Sequence, residues 1–285
     1  MISMAFDYSR ATSVDDALGK LKAADGAAKL IAGGHSLIPL MKLRLSEPGV
    51  LIDIARIPGL SGIRQQGDRI EIGAATTHNE VASSALLASV CPVLSDAAGE
   101  IGDLQVRNRG TLGGSLAHAD PSADYPAAML ALDADIHVKG PNGARVIKAR
   151  DYFRGLFTVD LAADEIIVAV QFAPVRTAAY AKLYQRASHF AIVGVAAALD
   201  VTNGVIASAR IGVTGASSHA TRLTQVEEAL AGNPLNASII EAASRSAGAA
   251  LEDINSDIHA SREYRRAMIP VFTQRALMGA LARAM

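Results

Sequence analysis

The 285-residue sequence has little of what metal and disulfide chemistry needs, since it contains one cysteine, Cys91, and no tryptophan. One thiol cannot form an internal disulfide, and an iron–sulfur cluster takes about four thiolates. The seven histidines show no His-Glu-x-x-His or other metal-ligand spacing. We therefore predict no metal site here, and any redox chemistry of this chain is expected to use an organic cofactor, with metals on another chain.

An excess of either charge is also missing. The 27 Lys and Arg residues nearly balance the 28 Asp and Glu residues, which gives a net charge of −1. This balance gives no electrostatic reason to expect nucleic acid or an anionic membrane as a partner. No segment reaches the ~18 uninterrupted apolar residues of a membrane span, and residues 1–10 lack the basic and apolar regions of a signal peptide. The default expectation is a cytoplasmic protein.

Standard nucleotide and nucleophile motifs are absent as well. No Gly-x-Gly-x-x-Gly opens a β–α–β unit, and there is no Walker Gly-Lys-Ser/Thr sequence. The segment Gly113–Ala117 misses the nucleophile-elbow pattern at its last position, because Ala117 is not glycine. A nucleotide bound by this chain would therefore need a less common architecture.

The sequence does contain two similar glycine pairs beside hydroxyl residues, at Ala32-Gly33-Gly34-His35-Ser36 and at Thr111-Leu112-Gly113-Gly114-Ser115. The second lies in a stretch, 111–126, that is rich in turn formers, so we predict a loop there instead of core or regular structure. Glycine permits close backbone approach and positive φ, so consecutive N–H groups can converge on an anion. One pair alone is usually a turn, but two predict a ligand with two phosphates or an elongated ligand held at two points.

Polar residues near these pairs allow two interpretations each. Asp120 and Asp124 either cap the turn and the following helix or bind a ligand, and Asp124 is better placed to accept hydrogen bonds from ligand hydroxyls. His35 is better explained as packing in its loop or bonding a ligand than as a catalytic base. Lys182, flanked by alternating aromatic residues, either contacts a ligand or lies on an exposed sheet face.

Hydrophobic periodicity predicts an α+β chain that opens with a β–α–β block. The predicted strands are 28–31, 50–54, 69–73, 165–172 and 179–186, with hairpins at 135–147 and at 191–213, the second turning at Asn203-Gly204. The predicted helices follow Ser13 and cover 37–45, 78–90, 93–101, 125–132, 226–231, 236–251 and 261–285, the last kinked or broken at Pro270. A domain boundary is predicted at 174–178.

Taken together, these motifs resemble those of a known family. The segments Ala32–Pro39 and Lys42–Leu45, then 111–114, then Asp120-Pro121-x-x-Asp124-x-Pro126, closely resemble the FAD-binding medium subunit of the molybdenum hydroxylases. This family includes xanthine dehydrogenase and aerobic carbon monoxide dehydrogenase, and the second is the nearer branch. The resemblance runs the whole length, because Tyr180-x-Lys182, the Asn203-Gly204 hairpin and Glu263-Tyr264-Arg265 also fit.

The resemblance implies an α+β fold in two parts. Residues 1–176 would form a two-part FAD-binding domain of the vanillyl-alcohol-oxidase type (PCMH-type), with subdomains at about 1–57 and 58–176. Residues 177–285 would form the carbon monoxide dehydrogenase flavoprotein C-terminal domain, a small domain of antiparallel sheet plus helical bundle.

It also implies cofactor-binding residues, but no catalytic or metal-binding ones. The two glycine loops would cradle the FAD pyrophosphate with backbone N–H groups. Asp124 resembles an acid that contacts the cofactor, Ile167 an apolar residue beside it, and Lys182 a lysine near the flavin whose charge favours the anionic reduced form. The full implied set is Ala32, Gly33, Gly34, His35, Ser36, Leu37, Ile101, Thr111, Leu112, Gly113, Gly114, Ser115, Ala117, Asp124, Ile167, Lys182 and Phe190.

Two of these positions depart from the family pattern. Phe190 resembles an aromatic residue that covers the isoalloxazine in the carbon monoxide branch, where tyrosine is expected. This departure bears on how the flavin is shielded and how an electron acceptor reaches it. Ser115 stands where relatives often carry asparagine, and it keeps a hydrogen-bonding side chain.

The function implied by the resemblance is electron transfer in a heterotrimer that is assembled twice. A large subunit would carry molybdopterin and oxidise the substrate, and a small subunit would carry two [2Fe–2S] clusters. Electrons would pass through FAD on this chain to an external acceptor. The alternatives are a stand-alone flavoprotein oxidase, for which the sequence shows no base, and a flavin-binding module without redox turnover. The complex is expected in the cytoplasm, with the inner face of the membrane as the alternative.

Overall fold

The structure is a computed structural model that describes residues 2–284, and it begins with a small parallel sheet. The elements of this first subdomain are β1 (Asp7–Arg10), α1 (Val14–Ala23), β2 (Ala28–Ile31), α2 (Leu37–Lys42) and β3 (Val50–Asp53). The strand order is β1-β3-β2, and both pairings are parallel. Ser13 starts α1, because its side chain accepts a hydrogen bond from the N–H of Asp16 at 3.0 Å. The β–α–β opening is confirmed, with the first glycine pair directly after β2.

A five-stranded antiparallel sheet organises the second subdomain. Its elements are β4 (Ile63–Gln66), β5 (Arg69–Gly73), α3 (His78–Ala82), α4 (Ala85–Val90), α5 (Pro92–Gly99), α6 (Leu104–Arg107), α7 (Leu112–His118), α8 (Tyr125–Ala131), β6 (Asp135–Gly140), β7 (Gly143–Lys148), α9 (Ala149–Tyr152), β8 (Phe153–Gly155), β9 (Thr158–Val159) and β10 (Ile166–Phe172). The strand order is β4-β5-β10-β6-β7, and β8 pairs with β9 separately. The strands and the hairpin predicted here are confirmed, whereas β4, β8, β9, α6 and α9 were not predicted.

The C-terminal part is a four-stranded antiparallel sheet followed by helices. Its elements are β11 (Ala178–Tyr184), β12 (Ala191–Thr202), β13 (Val205–Thr214), β14 (Thr221–Arg222), α10 (Thr224–Leu230), α11 (Ala237–Ser244) and α12 (Arg262–Ala282). Asn203 and Gly204 join β12 to β13 with φ values of 52° and 76°, as a type I′ hairpin turn requires. The α+β prediction and this hairpin are confirmed, and the predicted boundary at 174–178 falls between β10 and β11.

The C-terminal sheet is buried on both faces, and this joins the two parts of the chain. On one face, Val195 and Leu199 belong to a core shared with α10, α11 and α12. On the other face, Ala196 and Ala198 belong to the core of the N-terminal part, where α8 packs against β12 and β13. At Gly212 a Cβ would lie 2.2 Å from the carbonyl oxygen of Ala127, so only glycine allows α8 to approach β13 this closely.

The loop predicted around the second glycine pair is wrong, because these residues form helix α7 with Leu112 and Leu116 fully buried. The helix packs against the end of β5. A Cβ on Gly113 would lie 2.6 Å from the Cβ of Ala74, so this position tolerates only a hydrogen. The small residues that suggested a turn serve close helix packing instead.

The helix predicted at 78–90 is interrupted by a serine cap. Helix α3 ends before Ser83, and Ser84 then starts α4 by accepting a hydrogen bond from the N–H of Leu87 at 3.3 Å. The helix predicted at 236–251 likewise ends at Ser244, and turns follow it. Gly248, with φ of +79°, shows that the backbone there is no longer helical.

Of the kink or break predicted at Pro270, the break is wrong, since α12 continues through this residue. The buried face of this helix, which includes Phe272 and Leu277, packs against β11 and β12 and compensates for the hydrogen bond that proline cannot donate. Met285, the last residue of the predicted helix, lies outside the described residues. Within residues 2–284 no helix combines the length and the apolar composition needed to cross a bilayer.

Candidate cofactor-binding site

A cleft of about 1660 Å³ runs between the first and second subdomains and reaches the β11–β12 loop of the C-terminal part. It exceeds the ~300–1,000 Å³ of ordinary small-molecule pockets, so it suits an elongated ligand. All predicted cofactor-binding residues except Leu112 and Lys182 line it: Ala32, Gly33, Gly34, His35, Ser36, Leu37, Ile101, Thr111, Gly113, Gly114, Ser115, Ala117, Asp124, Ile167 and Phe190. Across the described part of the chain, no group of three or more His, Cys, Asp or Glu side chains is arranged to hold a metal ion.

The first glycine pair forms the loop between β2 and α2, and Gly33 places this loop against the second motif. A Cβ on Gly33 would lie 2.1 Å from the carbonyl oxygen of Arg109, so only glycine permits the contact. Gly34 has φ of +74°, in the left-handed region that favours glycine. The two motifs, distant in sequence, therefore meet on one side of the cleft.

The first loop presents backbone N–H groups that are not used by the protein. Within residues 2–284, no oxygen accepts a hydrogen bond from the N–H of Gly33, Gly34, His35, Ser36 or Leu37. The imidazole of His35 turns back onto its loop, with Nδ1 3.0 Å from the carbonyl oxygen of Gly33. Successive free N–H groups around a left-handed residue form an anion-binding concavity. The loop is therefore suited to a phosphate.

The second glycine pair presents far fewer free N–H groups. The N–H groups of α7 are bonded within the protein: Leu112 to the carbonyl oxygen of Thr76 (3.0 Å), Gly113 to that of Ala74 (2.8 Å), Gly114 to Thr111 Oγ1 (3.1 Å) and Ser115 to the carbonyl oxygen of Thr111 (3.0 Å). Helix α7 contributes a surface of small residues to the cleft. Gly114 and Ala117 are exposed and lie on one helix face, with the Ser115 hydroxyl beside them. A ligand can lie close against this surface.

A buried carboxylate, that of Asp124, forms part of the cleft wall. Its Oδ1 accepts a hydrogen bond from the Tyr180 hydroxyl at 2.6 Å and lies 2.8 Å from the ammonium of Lys182. No donor among residues 2–284 reaches its Oδ2, so this oxygen can accept a hydrogen bond from a ligand. Burial raises the pKa of Asp124, and the charge of Lys182 and the hydroxyl of Tyr180 oppose the rise.

The two aspartates of the motif play different parts. Asp120 Oδ1 accepts a hydrogen bond from the N–H of Ser122 at 2.8 Å, so this aspartate caps the turn, as the first of its two interpretations predicted. Asp124 stands at the start of α8, but its side chain makes no capping hydrogen bond. The second interpretation, a carboxylate available to a ligand, therefore suits Asp124, although Asp120 also lines the cleft.

Apolar side chains complete the walls. Ile101 and Ile167 line the cleft, and Phe190 reaches it from the loop between β11 and β12. Phe190 is 48% exposed. The loop is held by a hydrogen bond from the N–H of Gln185 to the Phe190 carbonyl oxygen at 2.9 Å. An exposed ring at the edge of a cleft can pack on a flat ligand.

The structure removes two predicted residues from the cleft wall. Leu112 is buried in the core, and its N–H donates to the carbonyl oxygen of Thr76. Lys182 is not on an exposed sheet face, because its side chain is completely buried against Asp124. Lys182 does not line the cleft itself, but it contacts Asp124, which does.

Sequence reasoning missed His78, which lines the cleft beneath the junction of the two motifs. A Cβ on Gly110 would lie 2.5 Å from His78 Nε2, so the imidazole packs directly under the segment that leads into α7. Its Nδ1 lies 3.3 Å from the hydroxyl of Tyr125. Burial lowers the pKa of His78 to about 4, so the ring is neutral at pH 7. In the structure, His78 directly follows Thr77, whose side chain caps α3.

Two family models match this chain and together cover most of it. Residues 4–174 match the FAD binding domain in molybdopterin dehydrogenase, and residues 178–280 match the CO dehydrogenase flavoprotein C-terminal domain. The chain belongs to this family. It is thus an FAD-binding subunit of an oxidoreductase, as the motifs predicted.

Individual relatives match over almost their whole length. The chain is 37% identical to the carbon monoxide dehydrogenase medium chain of Hydrogenophaga pseudoflava, with 99% of each chain covered. It is also 37% identical to the nicotine 6-hydroxylase medium subunit of Paenarthrobacter nicotinovorans, with 98% of each covered. Among solved structures, carbon monoxide dehydrogenase from H. pseudoflava lacking the Mo-pyranopterin moiety of its cofactor matches with a TM-score of 0.94, 38% identity and 99% of each chain.

The described residues fit FAD. The free N–H groups of the first loop are suited to its pyrophosphate, and Asp124 Oδ2 can accept a hydrogen bond from one of its hydroxyls. The surface of small residues on α7 and the exposed ring of Phe190 allow a long, partly flat molecule to lie in the cleft.

Proposed function

We propose that this chain holds FAD within a molybdenum hydroxylase and relays electrons from [2Fe–2S] clusters on a partner subunit to an external acceptor. The observation that carries the proposal is the run of free N–H groups at 33–37, in a loop that lines a cleft of about 1660 Å³. Bound FAD supplies the electron-transfer chemistry, and the protein supplies binding and orientation.

Each part of the cleft has a task in this proposal. The first loop binds the pyrophosphate through N–H groups that carry no side-chain charge. The α7 surface at Gly114 and Ala117 lets the cofactor lie close to the second subdomain. Asp124 accepts a hydrogen bond through Oδ2, and Phe190 covers part of the flat ring at the mouth, where an acceptor approaches.

The names of this chain's relatives support the proposed partners. Both relatives are called medium chains or subunits, and they are named for carbon monoxide and for nicotine although each is 37% identical to this chain. We therefore place substrate oxidation on a large molybdopterin subunit and two [2Fe–2S] clusters on a small subunit. The assembly in this proposal is a cytoplasmic dimer of heterotrimers.

The test fills the cleft from the α7 surface without touching the core. Ala117→Leu places a larger side chain where the cofactor would lie, and Ala88→Leu makes the same change at an exposed position of α4 away from the cleft. In the complex with its partners, we expect Ala117→Leu to weaken FAD binding roughly ten-fold or more, a loss of at least about 1.4 kcal/mol. Ala88→Leu should bind like the wild type, and equal affinity in all three proteins would contradict the proposal.

A second measurement separates the proposed role from the two alternatives. Reduced partner subunits should bleach the visible flavin absorbance of the complex, and an added acceptor should restore it. Flavin that binds but is never reduced would make the chain a non-redox module. Substrate turnover by this chain without partners would make it a stand-alone oxidase.

A further inference from the structure

We propose that Lys182 is a positioning residue that fixes three walls of the cleft, at Ile101, Asp124 and Phe190, while making no contact with the cofactor itself. The inference rests on the proposed function, because it concerns the same cleft. It differs from the implied role of Lys182 as a flavin neighbour.

The ammonium of Lys182 has three acceptors, and each lies at or next to one of these walls. Nζ donates to the carbonyl oxygen of Glu100 at 2.7 Å and to that of His189 at 2.7 Å, and it lies 2.8 Å from Asp124 Oδ1. Glu100 precedes Ile101, and His189 precedes Phe190. An ammonium has three donors, so none is left for a ligand.

The acceptors come from segments that are otherwise far apart. One follows α5, one begins α8, and one lies in the β11–β12 loop of the C-terminal part. The chain separations from Lys182 are 82 residues to Glu100 and 7 to His189. A single side chain therefore ties the C-terminal sheet to two segments of the N-terminal part.

Neighbouring residues on β11 and β12 help to fix the contact between Lys182 and Asp124. Tyr180, two residues earlier on the same face, donates its hydroxyl to the same oxygen, Asp124 Oδ1, at 2.6 Å. Opposite Lys182 on β12 stands Gly194, where a Cβ would lie 2.2 Å from the Tyr180 hydroxyl oxygen. Glycine at position 194 therefore leaves the space that the Tyr180 hydroxyl occupies when it donates to Asp124.

A positioning role predicts an effect on the protein without cofactor. Removing the ammonium should free the 185–190 loop from β11, and its amides should then exchange with solvent faster. Lys182→Met alone leaves the carboxylate of Asp124 buried without its cation, so this variant is destabilised for another reason. The informative comparison is therefore Asp124→Asn against the double variant Asp124→Asn/Lys182→Met, since both lack the buried carboxylate.

The experiment measures hydrogen–deuterium exchange of the full chain without FAD, with the wild type and Lys148→Met beside these two variants. Lys148 pairs with Asp135 away from the cleft and serves as the matched lysine control. In the double variant, we expect the amides of Gln185 and His189 to exchange roughly ten-fold or more faster than in Asp124→Asn. Lys148→Met should match the wild type in this loop.

The inference and the proposed function fail in different ways. Exchange in the double variant within about two-fold of Asp124→Asn would overturn the positioning role, even if the wild-type complex binds FAD. A wild-type complex that does not bind FAD would overturn the proposed function and leave the exchange result standing. In the loaded complex, the double variant should also leave the flavin more accessible to a soluble fluorescence quencher than Asp124→Asn does.

Discussion

The two glycine pairs of this chain look alike in sequence and do opposite things in the structure. The first, at Gly33 and Gly34, keeps a loop open and leaves five successive N–H groups, those of residues 33–37, without an acceptor in the described chain. The second, at Gly113 and Gly114, lies in a helix whose N–H groups are already bonded. In the first pair, glycine lets the loop leave its backbone N–H donors free. In the second pair, glycine lets the helix pack closely against Ala74. A glycine pair therefore does not identify a phosphate loop until its N–H groups are accounted for.

The largest expected effect comes from breaking the contact between the two motifs. Gly33→Val places a Cβ against the carbonyl oxygen of Arg109, 2.1 Å away, so the two backbone segments must separate to accommodate it. We expect a loss of about 3 kcal/mol in the free energy of unfolding, together with loss of FAD binding. Urea unfolding and FAD titration measure both. Gly99→Ala, at a helical glycine with no atom within 4 Å, is the control and should not destabilise.

The two glycines of the second pair should differ from each other. Gly113→Ala brings a Cβ to 2.6 Å from the Cβ of Ala74 and should cost about 2 kcal/mol of stability. Gly114→Ala meets only Thr111 Oγ1, at 2.8 Å, and gains helix propensity, so its net effect should be well under half of that. Denaturant unfolding midpoints of the two variants measure these two losses of stability. Equal destabilisation would contradict the packing role assigned to Gly113.

Stability should also depend on pH, because His78 is buried beneath the junction of the two motifs. The folded-state pKa of His78 is lowered by burial to about 4 from an ordinary 6.5, so the unfolded chain binds more protons between these values. Stability should therefore be fully present above about pH 6.5 and fall as the pH drops towards 4, by about 2 kcal/mol from pH 7 to pH 5. Unfolding at the two pH values checks this. In His78→Gln the part of the pH dependence due to this residue should disappear.

The smallest expected effect concerns the cap of α7. Thr111→Val keeps the shape of a buried side chain but removes the oxygen that accepts the Gly114 N–H bond. We expect a loss of about 1 kcal/mol in unfolding free energy and little change in FAD affinity. A strong loss of FAD affinity at unchanged stability would instead mean that the Thr111 hydroxyl binds the cofactor.

Local signals in the sequence were sufficient for much of the fold. The Asn203-Gly204 turn, the Ser13 cap and the alternating strand at 69–73 depend on neighbouring residues, so they were predictable. Elements that depend on distant partners were not. Helix α7 forms because Ala74 and Thr76 accept its N–H groups, and α12 passes Pro270 because the sheet holds it.

The candidate site shows the same division. The motifs located the cleft, and most of the implied residues line it. The sequence could not assign their roles, because the free N–H groups at 33–37 and the bonded ones of α7 differ only through tertiary contacts. Lys182 is the clearest case, since two of its three acceptors are backbone carbonyl oxygens, which no side-chain motif reveals.

The most direct test of the difference between the two motifs is amide exchange of the full chain with and without FAD. In the FAD-free protein, the amides of 112–115 should already be protected and those of 33–37 should exchange quickly. Added FAD should protect 33–37 strongly and change 112–115 little. Protection that appears mainly at 112–115, with 33–37 unchanged, would contradict the assignment of the phosphate site to the first loop.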